Sequence, residues 1–426
     1  MQTTGQYNCS KPQWFCDANP DRSAGKAMAV EQQTPLKGLK VIDVATVIAG
    51  PTLAMHLGDF GADVLKIEHP RGDVLRATGY QKDGVGLWYK MANRNKRGIT
   101  LNFSKPKGQA LFKKMVVDAD VLIENFRTGT MEKWGLGWED LRAINPKLVM
   151  VRLTGFGQTG PYKNRPGFGT VAEVFSGFAH ITGDEHGPPT LPNFGLADCI
   201  AASYGASAVM YALYHRDVQG GEGQFIDLSI YEPIFQVLGP QPLQYDQLGV
   251  IQHRMGNRSK NNAPRNTYET RDAQWVAIST NAPTIVTRVL TLCGGPEVAA
   301  DPRFSTPQSR VEHIDEVDGI VARWVKARDL DEVLAKFEEA EAAIGPAYDI
   351  AQIFEDPQYR ARNDIVTVED EDLGPLKMAN AFPFLSETPA KIRYSGQRLG
   401  QSNEQVYGEL GLSAEDLAKL KDDGVV

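Results

Sequence analysis

Between residues 40 and 153 the chain alternates short aliphatic runs with helix-length stretches, and that alternation restricts it to a parallel sheet covered by helices. Strands are expected at 40–44, 63–68, 98–102, 121–124 and 148–153. Helices are expected at 52–60, 107–117, 130–136 and 138–144. Gly61 closes the first helix, so residues 40–68 read as a compact βαβ unit. Its first turn, Ala45-Thr46-Val47-Ile48-Ala49-Gly50-Pro51, lacks G-x-G-x-x-G, and the dinucleotide fingerprint fails although a Rossmann-like topology fits. In such sheets ligands sit beyond the carboxyl ends of the strands. The loop after Val44, Asn125-Phe126-Arg127 and Thr154-Gly155-Phe156-Gly157 all fall there.

At 426 residues the chain exceeds what one hydrophobic core usually supports, so two structural units are expected. The texture changes after Ile230. Residues 236–262 are rich in Gln, Gly, Pro and Asn and read as a crossing segment. A smaller unit follows, with a strand at 274–279 and helices at 282–292, 311–326 and 330–342. A closing helix at 413–421 carries Ser413 as cap and Asp416 three residues on. Residues 1–35 are polar and aperiodic and read as an extension.

A net charge of -8 argues against general nucleic-acid binding. Cys9, Cys16, Cys199 and Cys293 are too sparse for a disulfide framework, and Cys9 and Cys16 have no nearby His for a zinc site. With no signal peptide and no run of about 18 apolar residues expected, a cytoplasmic protein without a membrane span is the reading. The seven histidines show no metal-ligand spacing and no G-x-S-x-G elbow accompanies them.

Carboxylate chemistry then stands out. Asp198 lies in Asn193-Phe194-Gly195-Leu196-Ala197-Asp198, ahead of a small-residue helix expected at 201–214, where helix amides would keep it ionised. Residue types alone leave two readings open, an N-cap and a nucleophile. Lys66, Arg71, Arg94, Lys96, Arg97, Arg127 and Lys133 recur near strand ends and form either a polyphosphate site or a set of solvated surface charges. The glycines of 155–161 could bring backbone amides to an oxyanion.

Several ordered motifs decide between these readings. "LKGLKVIDVATVIAGPTLAMHLGDFGADVLKIEHPRGD", "MANRNKRGITLNF", "DVLIENFRTGTMEKWGL", "LTGFGQTGPY", "LADCIAASYGASAVMYALYHRDVQGGEGQFIDLSIYE" and "DPQYRARND" resemble the class III CoA-transferases. That family includes formyl-CoA and carnitine CoA-transferases and the related 2-methylacyl-CoA racemases. The resemblance implies a large Rossmann-like domain built from both chain ends (36–230 and the return 345–426), a linker (231–254) and a small inserted α+β domain (255–344). Two such chains are threaded into an intertwined dimer, as a homodimer or with a homologous subunit. No tightly bound cofactor is implied; coenzyme A enters as acyl-CoA substrate, with a carboxylic acid as the other partner.

By the same resemblance Asp198 is the nucleophile, passing through an aspartyl anhydride and an aspartyl-CoA thioester. Val47, Ala49, Lys96, Arg97, Asn125, Phe126 and Lys133 are CoA-contacting positions, Lys133 standing where Arg is frequent. Ile48, Phe168 and Gly169 border the acyl site. Ile48 replaces a Gln used by the oxalate enzyme, Phe168 stands where the racemases have a catalytic His, and Gly169 where many relatives carry Asp or Glu. Arg258, Lys260 and Arg265 are candidates for a second carboxylate, which points to succinyl-CoA as donor and a substituted succinate such as benzylsuccinate as acceptor. An acyl-CoA racemase or isomerase and a non-catalytic CoA-binding subunit are the competing readings.

Overall fold

The computed structural model describes residues 34–426. The polar extension, except its last two residues, and the Cys9 and Cys16 pair lie outside the described residues. Six strands, β1 (Lys40–Asp43), β2 (Asp63–Glu68), β3 (Lys96–Thr100), β4 (Val121–Glu124), β5 (Val149–Thr154) and β6 (Phe225–Ser229), form one sheet in the order β3-β2-β1-β4-β5-β6. Every neighbouring pair is parallel. This is the Rossmann strand order, and the winding reverses between β1 and β4, which opens a crevice beyond their carboxyl ends. The central strands are buried on both faces, which is why aliphatic residues dominate them; their two buried charges, Glu124 and Arg152, pair with each other at 2.8 Å.

Helices α1 (Ala49–Asp59), α2 (Pro106–Val116), α3 (Trp138–Ile144), α4 (Gly169–Phe175) and α5 (Leu196–Asp217) cover the sheet. On one face α1 and α5 bury Leu53, Leu57, Val209 and Leu213 against Val121 and Val151. Their crossing is close: a Cβ at Gly205 would lie 2.3 Å from Leu53 Cδ1, so any larger residue there would displace the buried Leu53 side chain. On the other face Phe112 of α2 and Leu141 of α3 share a core with residues from the far end of the chain.

That far end supplies Val406, Tyr407, Leu420 and Val425 to the same core. The Tyr407 hydroxyl donates to the Thr100 carbonyl at 2.7 Å, and the Asn102 amide donates to the Val425 carbonyl at 2.8 Å. The closing helix, Ala414–Asp422, has the capping box expected of it, with Ser413 and Asp416 exchanging hydrogen bonds.

A second, antiparallel sheet of β7 (Arg265–Glu269), β8 (Trp275–Ser279) and β9 (Ile344–Pro346) runs in the order β9-β8-β7. It has its own core of Tyr268, Val276, Val289, Val321 and Phe337. The expected linker, 231–254, contains two helices, Tyr231–Val237 and Gln241–Leu248, the second lying wholly within the stretch read as a crossing segment. Pro240 starts the second and Gly249, at φ +66°, stops it, signals that the Gln-rich composition masked.

Helix α5 also departs from expectation. It has 22 residues and an 18-residue window of mean hydropathy 1.3, long and apolar enough to cross a membrane, where no such run was expected. It is a central helix of the large sheet, with one face on α1 and the other, through Met210, Tyr211 and Tyr214, exposed in the single chain.

Candidate active site

The loop after β1 is held in an uncommon shape. Val47 has φ +67°, a left-handed conformation that a β-branched residue rarely adopts, and the surroundings over-determine it. Its amide donates to both oxygens of Asp73, at 3.2 and 3.1 Å. Asp73 is buried and accepts from the Leu75 amide as well, while Lys66 lies 3.8 Å away. One residue earlier, the Asn125 side chain clamps Thr46, accepting from its amide and donating to its carbonyl, each at 2.8 Å. Asn125 thereby ties the β1 loop to the β4 loop at the reversal point of the sheet.

A cavity of about 740 Å³ opens there, within the range of small-molecule sites. The β1 loop contributes Val47, Ile48 and Ala49, the β4 end Asn125, Phe126 and Arg127, and α5 contributes Asp198. Phe126 packs edge-on against Trp134, with centroids 5.2 Å apart, and presents an apolar wall. Residues 163–170 close another side, including Lys163, Arg165, Phe168 and Gly169.

Asp198 is not an N-cap. Helix α5 starts at Leu196 with Gly195 as its cap residue, so Asp198 is the third residue of the first turn. The carboxylate rests in a notch between two glycines: a Cβ at Gly169 would meet Asp198 Oδ2 at 2.1 Å, and one at Gly195 at 3.2 Å. Among the described residues no hydrogen bond or ion pair reaches this carboxylate. Burial, with a smaller contribution from the charge of Glu173, raises its pKa to about 6, so desolvation outweighs the helix dipole expected to hold it ionised. At neutral pH it is still largely an anion with no partner, the state a carboxylate nucleophile needs.

The expected phosphate-binding cations are distributed differently. Lys96 is fully buried and donates to Asp43 at 2.9 Å, the Pro51 carbonyl at 2.7 Å and Asn93 at 3.0 Å; it does not line the cavity. Burial lowers its pKa to about 8 despite Asp43. Lys66 is spent on the same Asp43, at 3.5 Å, and on the Ala45 carbonyl. Arg94 forks onto Asp59, and Arg97 pairs with Asp63 and Glu409. Lys133 is exposed on the short helix Thr130–Lys133 and is not among the lining residues. Arg265 lies elsewhere, on a polar cavity of about 670 Å³ with Lys260 and Arg258, and its guanidinium donates to the Asn257 and Arg258 carbonyls. Arg258 itself pairs with Asp315 and Asp318.

In the glycine-rich turn after β5 two amides are already engaged. Gly157 donates to Thr154 and Gln158 to Asp227. Gly155 instead lets the return segment cross, since a Cβ there would lie 2.6 Å from Gly167 Cα.

Three residues went unremarked in the sequence reading. Lys163 and Arg165 line the cavity with Arg127, and among the described residues none of the three pairs with a carboxylate; the Arg165 guanidinium stacks over Tyr162 at 3.7 Å. Their signal was available: two basic residues just past a glycine-rich turn at a strand end. Glu173, buried on α4, accepts from the Ala197 amide at 3.2 Å, a pairing with no local signature.

Comparison with known proteins fits this arrangement. The profile of CoA-transferase family III matches residues 36–403. The chain is 41% identical over 390 residues to the succinyl-CoA--D-citramalate CoA-transferase of Chloroflexus aurantiacus, covering 91% of this chain and 97% of the relative. It is 42% identical over 398 residues to the succinyl-CoA--L-malate CoA-transferase beta subunit of the same organism, covering 92% and 98%. The crystal structure of a CAIB/BAIF family protein from Brucella suis superposes with a TM-score of 0.79 at 32% identity, covering 89% of this chain and all of that one. A Rossmann-ordered sheet, a cavity at its reversal point and matches along nearly the whole described chain lead to one assignment: the chain belongs to CoA-transferase family III and is a CoA-transferase acting between an acyl-CoA and an acid.

Proposed function

We propose that this enzyme moves CoA from succinyl-CoA to a substituted succinate, with Asp198 as the nucleophile. The observation that carries the reading is the unpartnered Asp198 carboxylate facing the cavity at the sheet reversal. Asp198 attacks the donor thioester carbonyl, the C–S bond breaks, and CoA thiolate leaves behind a mixed anhydride. The thiolate attacks the Asp198 carbonyl carbon and releases succinate, giving the aspartyl-CoA thioester. The acceptor carboxylate attacks that thioester and expels the thiolate, which then takes the acceptor acyl group and frees Asp198. Thioester energy is conserved through every step.

Val47, Ala49, Asn125 and Phe126 border the CoA portion in this reading. Arg127, Lys163 and Arg165 supply positive charge for phosphates and for the free carboxylate of a dicarboxylic acyl group. Malate and citramalate, the acids in the names of the two relatives, are both hydroxy-substituted succinates. They are therefore the first acceptors to test, with benzylsuccinate as the bulky extreme that Ile48, Phe168 and Phe194 would have to admit. Phe168 offers no proton-transfer group, which weighs against racemisation.

We also propose the intertwined dimer, with itself or with a homologous chain, in a cytoplasmic setting. The exposed apolar residues Tyr211, Tyr214, Leu243 and Leu248 support burial in an assembly.

The test is a screen of CoA donors against dicarboxylic acids with product masses read out, alongside Asp198→Ala. Transfer from succinyl-CoA to a substituted succinate, lost by at least about 10⁴-fold in the variant, is expected. Full activity in Asp198→Ala, or exchange at the α carbon without an acid acceptor, would overturn the proposal.

A further inference from the structure

Helix α5 has no side-chain cap of its own: Gly195 precedes it and cannot provide one. The amide of Ala197, the residue before Asp198, is satisfied from a different helix. Glu173 of α4 donates no proton here; its Oε1 accepts that amide at 3.2 Å, and the residue is 2% exposed. Among the described residues no cation pairs with Glu173. A buried carboxylate without a counter-charge is costly, so its placement one residue from an equally unpaired Asp198 calls for a function.

We propose that Glu173 is a positioning residue for Asp198, its carboxylate acting as the cap that α5 lacks and standing as a second buried negative charge beside the nucleophile. This rests on the reading of Asp198 given above. Two consequences follow from one geometry. The first turn of α5, which carries Asp198, is fixed against α4. Repulsion between the two carboxylates also disfavours the free Asp198 anion relative to any neutral form of it, and both the anhydride and the aspartyl-CoA thioester are neutral at Asp198. Glu173 therefore drives the resting enzyme toward its covalent intermediates.

Other charges near the site do not duplicate this effect. On α5 the neighbouring Cys199 carries a thiol held above its ordinary value by partial desolvation and by the Asp198 charge, so it supplies no competing anion. On α1, His56 interacts with Asp59, Arg94 and Lys96. The loop after β1 faces Asp198 with the apolar Ile48, and Arg152 of β5 is engaged by Glu124 and Glu132. Arg127, Lys163 and Arg165 line the cavity without pairing to Asp198.

Glu173→Gln keeps an acceptor oxygen for the Ala197 amide and removes only the charge; Glu173→Ala removes both. The Asp198 carboxyl is followed by carbon NMR titration, assigned by its loss in Asp198→Asn, and the covalent adduct formed at fixed succinyl-CoA is measured by mass spectrometry. In Glu173→Gln the Asp198 titration is expected to move down by ~0.5–1 pH unit, and the adduct fraction to fall by the matching ~3–10-fold. KM for succinyl-CoA should stay within about twofold. Glu173→Ala should lower kcat as well, with Glu173→Gln restoring part of it. Superimposable titrations for wild type and Glu173→Gln, or a kcat for Glu173→Ala equal to wild type, would overturn the proposal. If the wild type forms no adduct, the nucleophile assignment fails, and the titration still reads the Glu173 charge independently.

Discussion

Two groups of cations flank the same loop and live under opposite conditions. Lys66 and Lys96 are buried behind it and converge on Asp43, at 3.5 and 2.9 Å. Arg127, Lys163 and Arg165 stand in front of it on the cavity, with no carboxylate partner among the described residues. The first group holds a strained backbone in place from behind, through Asp43, Asp73 and the Ala45 carbonyl. The second is left free for an anion from outside. A basic pattern in a strand can thus be structural, while the cations free to meet an anion stand on loops.

The largest effect expected from breaking this contrast is at Lys96. Lys96→Met leaves the buried Asp43 with the longer Lys66 contact as its one cation among the described residues, beside the Ala45 amide at 3.0 Å, and should cost about 3–5 kcal/mol in urea unfolding. Asp198→Asn should do the reverse. Its folded-state pKa of about 6 lies above the unfolded value of ~3.9, so the group stabilises the fold below ~3.9 and that contribution is lost as pH rises through 6. At pH 7.5 the neutral variant should therefore be more stable by about 1–3 kcal/mol, with the gain fading toward pH 4, while turnover is lost. In the wild type, turnover should fall as pH drops through about 6, where the nucleophile becomes protonated.

On the cavity side, Lys163→Ala with Arg165→Ala should raise KM for the CoA thioester ~10-fold, about 1.4 kcal/mol, with an unchanged urea midpoint. A loss of stability there instead would erase the distinction between the two groups. The smallest effect belongs to Arg97, whose pairs with Asp63 and Glu409 are partly exposed. Arg97→Ala should cost less than about 1 kcal/mol, mostly at low salt, without altering turnover.

Local patterns carried most of the sheet. The strands at 63–68 and 121–124 coincide with β2 and β4, because each is built on a short aliphatic run, Val64-Leu65 and Ile67 in one and Val121 to Ile123 in the other. The Ser413 cap was legible because its partner is three residues away. Asp198 was visible as a residue but misplaced on its helix, since α5 starts five residues before the expected position and the preceding Ala197 amide is met by Glu173, 24 residues upstream of Ala197. Lys96 looked like a ligand residue because nothing local records that Asp43, 53 residues away, lies beneath it. Arg265 sits on the antiparallel sheet, whose placement no short-range pattern encodes.

The glycine notch around Asp198 constrains how this site can change over evolutionary time. A Cβ at position 169 would sit 2.1 Å from the Asp198 carboxylate, so any residue other than glycine requires that carboxylate to move first. An acidic residue at 169 cannot coexist with the present position of the Asp198 side chain, and introducing one here is predicted to displace the carboxylate and lower turnover. The identity of residue 169 and the placement of the nucleophile's side chain are therefore tied to each other, so neither can change here without the other.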